Sequence, residues 1–102
     1  MRKRTSAEQR AIAHYARALQ CGSDTDYSAA QWEMLCVWFG GCCLSCGATP
    51  VTVDHVVPLG MGGTNTLVNL QPLCDACNKR KGSRTVDYRN VCRLVQFLEG
   101  LR

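Results

Sequence analysis

The sequence that decides the fold runs from Val53 to Lys81 and reads VDHVVPLGMGGTNTLVNLQPLCDACNKRK. The β-branched residues between Val51 and Val57 predict a strand, which Pro58 ends. A glycine-rich loop follows, and the run from Leu67 to Leu73 predicts a second short strand. These patterns place a strand–loop–strand unit at the centre of the chain.

Helices are predicted on both sides of these strands. A short helix is expected from Asp75 to about Lys81, where Gly82 breaks it. Apolar residues at helical spacing, with capping residues before them, predict three further helices. The first is expected at about 6–20 and the last at about 86–100. The middle one is expected to begin at the capping box of Ser28 and Gln31 and to end at Gly40-Gly41.

A chain of 102 residues is expected to be one domain with a small core, which a metal or disulfide would help to stabilise. Its expected parts are a helical extension at 1–40, a core at 41–82 and a carboxyl-terminal helix at 84–102. No apolar run is long enough to cross a membrane, and the basic start is not followed by the apolar segment of a signal peptide. We therefore expect a cytoplasmic location, where cysteines stay reduced.

Charge is unevenly distributed along the chain. All twelve Lys and Arg residues lie before residue 18 or after residue 78, whereas five of the eight acidic residues lie between. Basic ends suit a polyanion, and an acidic centre suits a cation. This distribution favours a metal-dependent protein that acts on nucleic acid.

Four of the eight cysteines have the spacing of zinc knuckles, namely Cys43 with Cys46 and Cys74 with Cys77. Four thiolates from two such turns make a closed tetrahedral site, so a structural Zn²⁺ is predicted in preference to disulfides. Cys42 is an alternative ligand, although Cys43 has the spacing that matches the second pair.

The remaining cysteines are interpreted differently. Cys36 and Cys92 lie on or beside apolar helix faces and are expected in the core. Cys21, at the end of the first predicted helix, is expected to be a free thiol.

The order and spacing of residues 54–81 resemble the HNH endonuclease family, in the zinc-containing branch that is similar to small phage and prophage enzymes. The motif residues are Asp54-His55, Pro58-Leu59, Gly62-Gly63-Thr64-Asn65, Asn69, the second cysteine pair, Asn78 and Lys81. Because the last motif position is Asn78 where many members have His, this is an H-N-N variant. The resemblance covers about residues 28–89 and implies an α+β fold with a ββα-metal core and flanking helices.

The resemblance also implies roles for four residues. His55 would be the general base that activates water, and Asp54 and Asn78 would hold a catalytic Mg²⁺ or Mn²⁺. Asn69 would fix the loop and orient the imidazole, with Asn65 as the rival for that position. The products would be a 5′-phosphate and a 3′-hydroxyl.

Elementary chemistry agrees with these roles. A neutral imidazole can accept a proton from water near neutral pH. Mg²⁺ prefers oxygen ligands, such as a carboxylate and an amide oxygen. Because neighbours in a strand project to opposite sides, Asp54 and His55 are expected to flank the scissile phosphate.

Duplex DNA is the expected partner. Lys79, Arg80, Lys81 and Arg84 follow the last motif residue and are predicted to contact phosphates. The phage resemblance adds a packaging terminase as a predicted partner, and the host cytoplasm as the location if the chain is phage-encoded. The alternative hypotheses are a zinc-containing DNA-binding module without nuclease activity and, third, a disulfide-rich secreted domain.

Overall fold

The computed structural model describes residues 27–101, so the predicted helix at 6–20 and Cys21 lie outside the described residues. Within this range the regular elements are three helices and two strands, accompanied by two short 3₁₀ turns. They are α1 (Ala29–Trp38), β1 (Thr52–His55), β2 (Leu70–Leu73), α2 (Asp75–Lys81) and α3 (Val91–Gly100), with the 3₁₀ turns at Leu59–Met61 and Leu67–Asn69. None of the helices among these residues is both long and apolar enough to cross a membrane.

Helix α1 begins at the predicted capping box. The Gln31 backbone N–H donates to Ser28 Oγ at 3.1 Å, and the Ser28 N–H donates to Gln31 Oε1 at 2.9 Å. These two bonds satisfy donors that the first helical turn leaves unpaired. The helix ends just before Gly40 and Gly41, whose φ angles of 102° and 77° are accessible to glycine and strained for other residues.

The two strands pair antiparallel, with Thr52 opposite Leu73 and Asp54 opposite Gln71. Both are shorter than predicted, and 67–69 is a 3₁₀ turn where a strand was expected. The Asn69 side chain explains this difference, because its amide bonds to both the N–H and the C=O of Val57. A side chain therefore replaces the backbone ladder at the point where the strands part.

Helix α2 has its predicted bounds, whereas α3 begins at Val91 instead of about 86. Asn90 caps α3 by accepting a bond from the Arg93 N–H at 3.1 Å. The preceding segment is held in an extended form by Gln71, which accepts from the Tyr88 N–H and donates to the Val86 carbonyl. Those backbone groups are therefore unavailable for helical bonds.

The core has two parts. The larger joins α1, β2 and α3 through the fully buried residues Leu35, Leu70, Leu94 and Leu98. The smaller surrounds Leu73 and contains three of the four knuckle cysteines. Cys36 is half-buried and Cys92 is exposed, so the prediction of a core position is wrong for Cys92. Its position on α3 turns it away from the inward-facing Val91 and Leu94.

Candidate active site

The four knuckle cysteines come together although Cys46 and Cys74 are 28 positions apart in the chain. Their sulfur atoms all lie within 4.8 Å of one another, and Cys46 Sγ is 3.6 Å from Cys74 Sγ. Tetrahedral zinc with Zn–S bonds of about 2.3 Å would separate its sulfurs by about 3.8 Å. The donor set and its spacing therefore fit a structural zinc ion.

Each pair forms a knuckle turn in which backbone N–H groups face a sulfur. The Cys46 N–H lies 3.5 Å from Cys43 Sγ, and the Cys77 N–H lies 3.5 Å from Cys74 Sγ. Cys42 is outside this cluster, and its thiol donates to the Gly40 carbonyl. Of the two alternatives, Cys43 therefore belongs to the metal site.

The electrostatics of the cluster also favour a cation. Burial raises the pKa of Cys43, but the backbone N–H groups around its sulfur outweigh burial and lower the pKa to about 6. For Cys46, the Ala48 N–H lowers the pKa, while the three neighbouring thiols raise it to about 12. Cys43 is therefore the more readily ionised of these two thiols, and a divalent cation would favour the thiolate form of both.

A second constellation surrounds a pocket of about 220 Å³ at the end of β1. Three residues assigned by the HNH resemblance, Asp54, His55 and Asn78, line this pocket together. Strand β1 supplies the first two, and α2 supplies the third. Because Cys77 immediately precedes Asn78, the zinc knuckle positions one wall of the pocket.

The carboxylate of Asp54 is only 5% exposed, and two donors reach its Oδ2 atom. Gln71 Nε2 donates at 2.8 Å, and the ammonium of Lys81 lies 3.3 Å away. Among the described residues no donor bonds to Oδ1, which is thus available to a cation. Gln71 was not identified from the sequence, although its position opposite Asp54 in the hairpin would have indicated the contact.

The amide of Asn78 is also oriented by its neighbours. Its Nδ2 donates to Thr52 Oγ1 at 2.9 Å and to the Val53 carbonyl at 3.3 Å. Because the amino group is bound to β1, the amide oxygen is the atom available to the pocket. One carboxylate and one amide oxygen suit a hard divalent cation such as Mg²⁺ or Mn²⁺.

The two roles predicted for Asn69 are divided between two residues. Asn69 fixes the loop, since its Oδ1 accepts from the Val57 N–H and its Nδ2 donates to the carbonyls of Val57 and Thr64. The imidazole of His55 contacts Asn65 instead, with Nε2 lying 2.8 Å from Asn65 Oδ1. Asn65 thus makes the direct contact with the imidazole, while Asn69 holds the loop that carries Asn65.

Comparison with known proteins agrees with this geometry. The protein-family model described as HNH endonuclease matches residues 43–90. This segment is an HNH domain. Neither the curated proteins nor the solved structures provide a match to the chain. The matched residues contain both cysteine pairs and the whole pocket, so the strand–strand–helix unit is the ββα-metal core of the HNH domain.

The basic residues of the HNH domain differ in exposure. The Lys79 side chain is 78% exposed and pairs with Asp75 at 2.9 Å, and Arg80 and Arg84 are also on the surface. Lys81 is 1% exposed, and its ammonium donates to the His55 carbonyl at 2.9 Å. The expectation that Lys81 contacts DNA phosphates is therefore corrected.

Helical spacing explains the burial of Lys81. Residues three and four apart share one face of a helix, so Lys81 lies on the same face as Cys77 and Asn78. That face packs against β1, and Lys81 lies in the pocket wall with its ammonium towards Asp54. This periodicity was the signal in the sequence that could have identified Lys81 as an internal residue.

Proposed function

We propose that this chain is a divalent-metal-dependent endonuclease that hydrolyses phosphodiester bonds in DNA. The observation that carries the proposal is that His55, Asp54 and Asn78 line one pocket within the HNH domain. A base and a pair of oxygen ligands at one cavity are the groups that phosphodiester hydrolysis requires.

In the proposed mechanism His55 removes a proton from the attacking water. Such general-base assistance accelerates a reaction by about 10²–10⁴-fold. Asp54 Oδ1 and the Asn78 amide oxygen would hold Mg²⁺ or Mn²⁺, which when bound stabilises negative charge on the phosphate and the leaving oxygen. As the water oxygen bonds to phosphorus, the bond to the 3′-oxygen breaks and this oxygen takes a proton from solvent, which gives a 5′-phosphate and a 3′-hydroxyl.

The cysteine cluster has a separate role in this proposal. Its four sulfurs would hold zinc without an open coordination position, so the zinc would stabilise the fold and take no part in hydrolysis. Since Cys74 is the N-cap of α2, the same zinc would keep Asn78 at the pocket. The reduced thiols that this site needs support a cytoplasmic location.

DNA would be held by the exposed basic residues next to the pocket. Lys79, Arg80 and Arg84 are the described candidates for phosphate contacts. If these contacts are electrostatic, the logarithm of DNA affinity decreases linearly with the logarithm of salt concentration. Salt-independent binding would contradict this part of the proposal. The phage origin and the terminase partner remain predictions from the resemblance.

One observation favours a second candidate function, a zinc-containing DNA-binding module without nuclease activity. The buried ammonium of Lys81 lies 3.3 Å from Asp54 and already neutralises the carboxylate that would bind the catalytic cation. If the cation cannot compete with this ammonium, the chain would bind DNA without cutting it.

The deciding experiment measures nicking of supercoiled plasmid by the zinc-loaded protein with and without added Mg²⁺ or Mn²⁺. Wild type is compared with His55→Ala, and with His14→Ala as a matched control at the only other histidine. The endonuclease proposal predicts metal-dependent nicking by wild type and His14→Ala, and loss of at least about 100-fold in His55→Ala.

Zinc content is measured in all three proteins, so that a misfolded variant is not mistaken for an inactive one. Equal nicking by wild type and His55→Ala would refute the assigned base. Binding of DNA without nicking by any of the three would support the binding module.

A further inference from the structure

We propose that Asn65 is the positioning residue for the base, because it fixes the proton of the His55 imidazole on Nε2 and leaves Nδ1 to accept the proton of water. The inference rests on the proposed endonuclease function and specifies which atom of His55 acts. The observation behind it is the 2.8 Å contact between Asn65 Oδ1 and His55 Nε2.

The chemistry of the contact determines the tautomer. An amide oxygen carries no proton and can only accept, so the neutral ring must donate from Nε2. The other ring nitrogen, Nδ1, then holds the free lone pair. A histidine acts as a general base through its unprotonated nitrogen, and the partner of the other nitrogen decides which nitrogen that is.

The loop that carries Asn65 is anchored on both sides. The Thr64 carbonyl accepts from Asn69 Nδ2 at 2.8 Å, and the hydroxyls of Thr64 and Thr66 are 2.8 Å apart. The Gly63 N–H also donates to the Pro58 carbonyl at 3.0 Å. Because the backbone around Asn65 is held in this way, its amide oxygen has a defined position relative to His55.

Among the described residues Asn65, and not Asn69, bonds to the imidazole of His55. The amide oxygen of Asn69 accepts from the Val57 N–H, and its amino group donates to two carbonyls. Asn69 therefore supports the loop, and Asn65 transmits that support to the imidazole. Asn65 therefore acts directly on the base, whereas Asn69 acts on it only through the loop.

The experiment records the ¹⁵N signals of the imidazole rings in zinc-loaded protein, at a pH where the spectrum shows neutral rings. The chain has two histidines, and His14→Gln assigns the signal of His55. In wild type we expect the proton on Nε2. Asn65→Leu should lose this preference, whereas Asn65→Asp, which keeps an acceptor oxygen at the same place, should retain it.

Kinetics provide the second measurement. Asn65→Leu should lower kcat for plasmid nicking by about 10–100-fold with KM unchanged, because part of the general-base assistance of about 10²–10⁴-fold would be lost. Asn65→Asp should be more active than Asn65→Leu. If Asn65→Leu fails to bind zinc, the smaller Asn65→Ser replaces it in both measurements.

The outcomes separate the two proposals. A proton on Nδ1 of His55 in wild type overturns the role of Asn65, even if the protein cuts DNA. Unchanged kcat in the folded Asn65→Leu variant overturns it as well. A wild-type protein with the Nε2 proton that never nicks DNA overturns the proposed function, and with it the assignment of Nδ1 as the reacting atom.

Discussion

Replacing Lys81 with methionine would remove a positive charge from the wall of the pocket while keeping much of the side-chain volume. Lys81 is 1% exposed and Asp54 is 5% exposed, and the ammonium lies 3.3 Å from Asp54 Oδ2. The same ammonium donates to the His55 carbonyl at 2.9 Å. The variant would leave Asp54 buried with Gln71 as its remaining donor.

The expected loss of stability follows from these distances. At an effective dielectric constant of about 20, two unit charges 3.3 Å apart attract by about 5 kcal/mol. Removing one partner of a buried ion pair costs about 3–5 kcal/mol, because the remaining charge is not compensated. We therefore expect Lys81→Met to lower the free energy of unfolding by about 3–5 kcal/mol.

Urea unfolding of the zinc-loaded protein measures this loss, and Lys79→Met is the matched control. Lys79 is on the same helix, but its side chain is 78% exposed and its partner Asp75 is also exposed. Such a surface pair contributes about 0.3–0.5 kcal/mol. Unfolding free energies of the two variants within about 1 kcal/mol of each other would refute the reasoning.

Two further predictions concern the loop and the metal site. Gly63→Ala would place a Cβ atom 1.8 Å from the Val57 carbonyl oxygen. This clash should lower the free energy of unfolding by at least about 1–3 kcal/mol. The matched control is Gly60→Ala, whose Cβ would have no atom within 4 Å and which should change stability by less than about 0.5 kcal/mol. Equal urea midpoints would contradict this prediction. Cys43→Ser should lose zinc and the cooperative fold, because the binding of structural zinc contributes about 10–16 kcal/mol to the free energy of folding. Cys42→Ser is the matched control and should retain one zinc per chain by metal analysis. If Cys43→Ser kept its zinc and Cys42→Ser lost it, Cys42 would be the zinc ligand in place of Cys43.

The features that the sequence alone determined depend on residues close together in the chain. The capping box of Ser28 and Gln31 and the bounds of the Asp75–Lys81 helix follow from local hydrogen bonding. The two cysteine pairs could be recognised because each knuckle is one tight turn, and zinc restricts how two such turns combine. The HNH motif could be recognised because its order and spacing are themselves the signal.

Contacts between distant residues decided the rest. Lys81 bonds to the His55 carbonyl across 26 positions, which converts an expected surface cation into a buried partner of Asp54. Gln71 holds Tyr88 across 17 positions and delays the start of α3. Only the folded loop shows that Asn65 reaches the imidazole while Asn69 bonds to backbone. Local propensity cannot encode these outcomes, because each depends on which buried polar group finds its partner once the strands and α2 have packed.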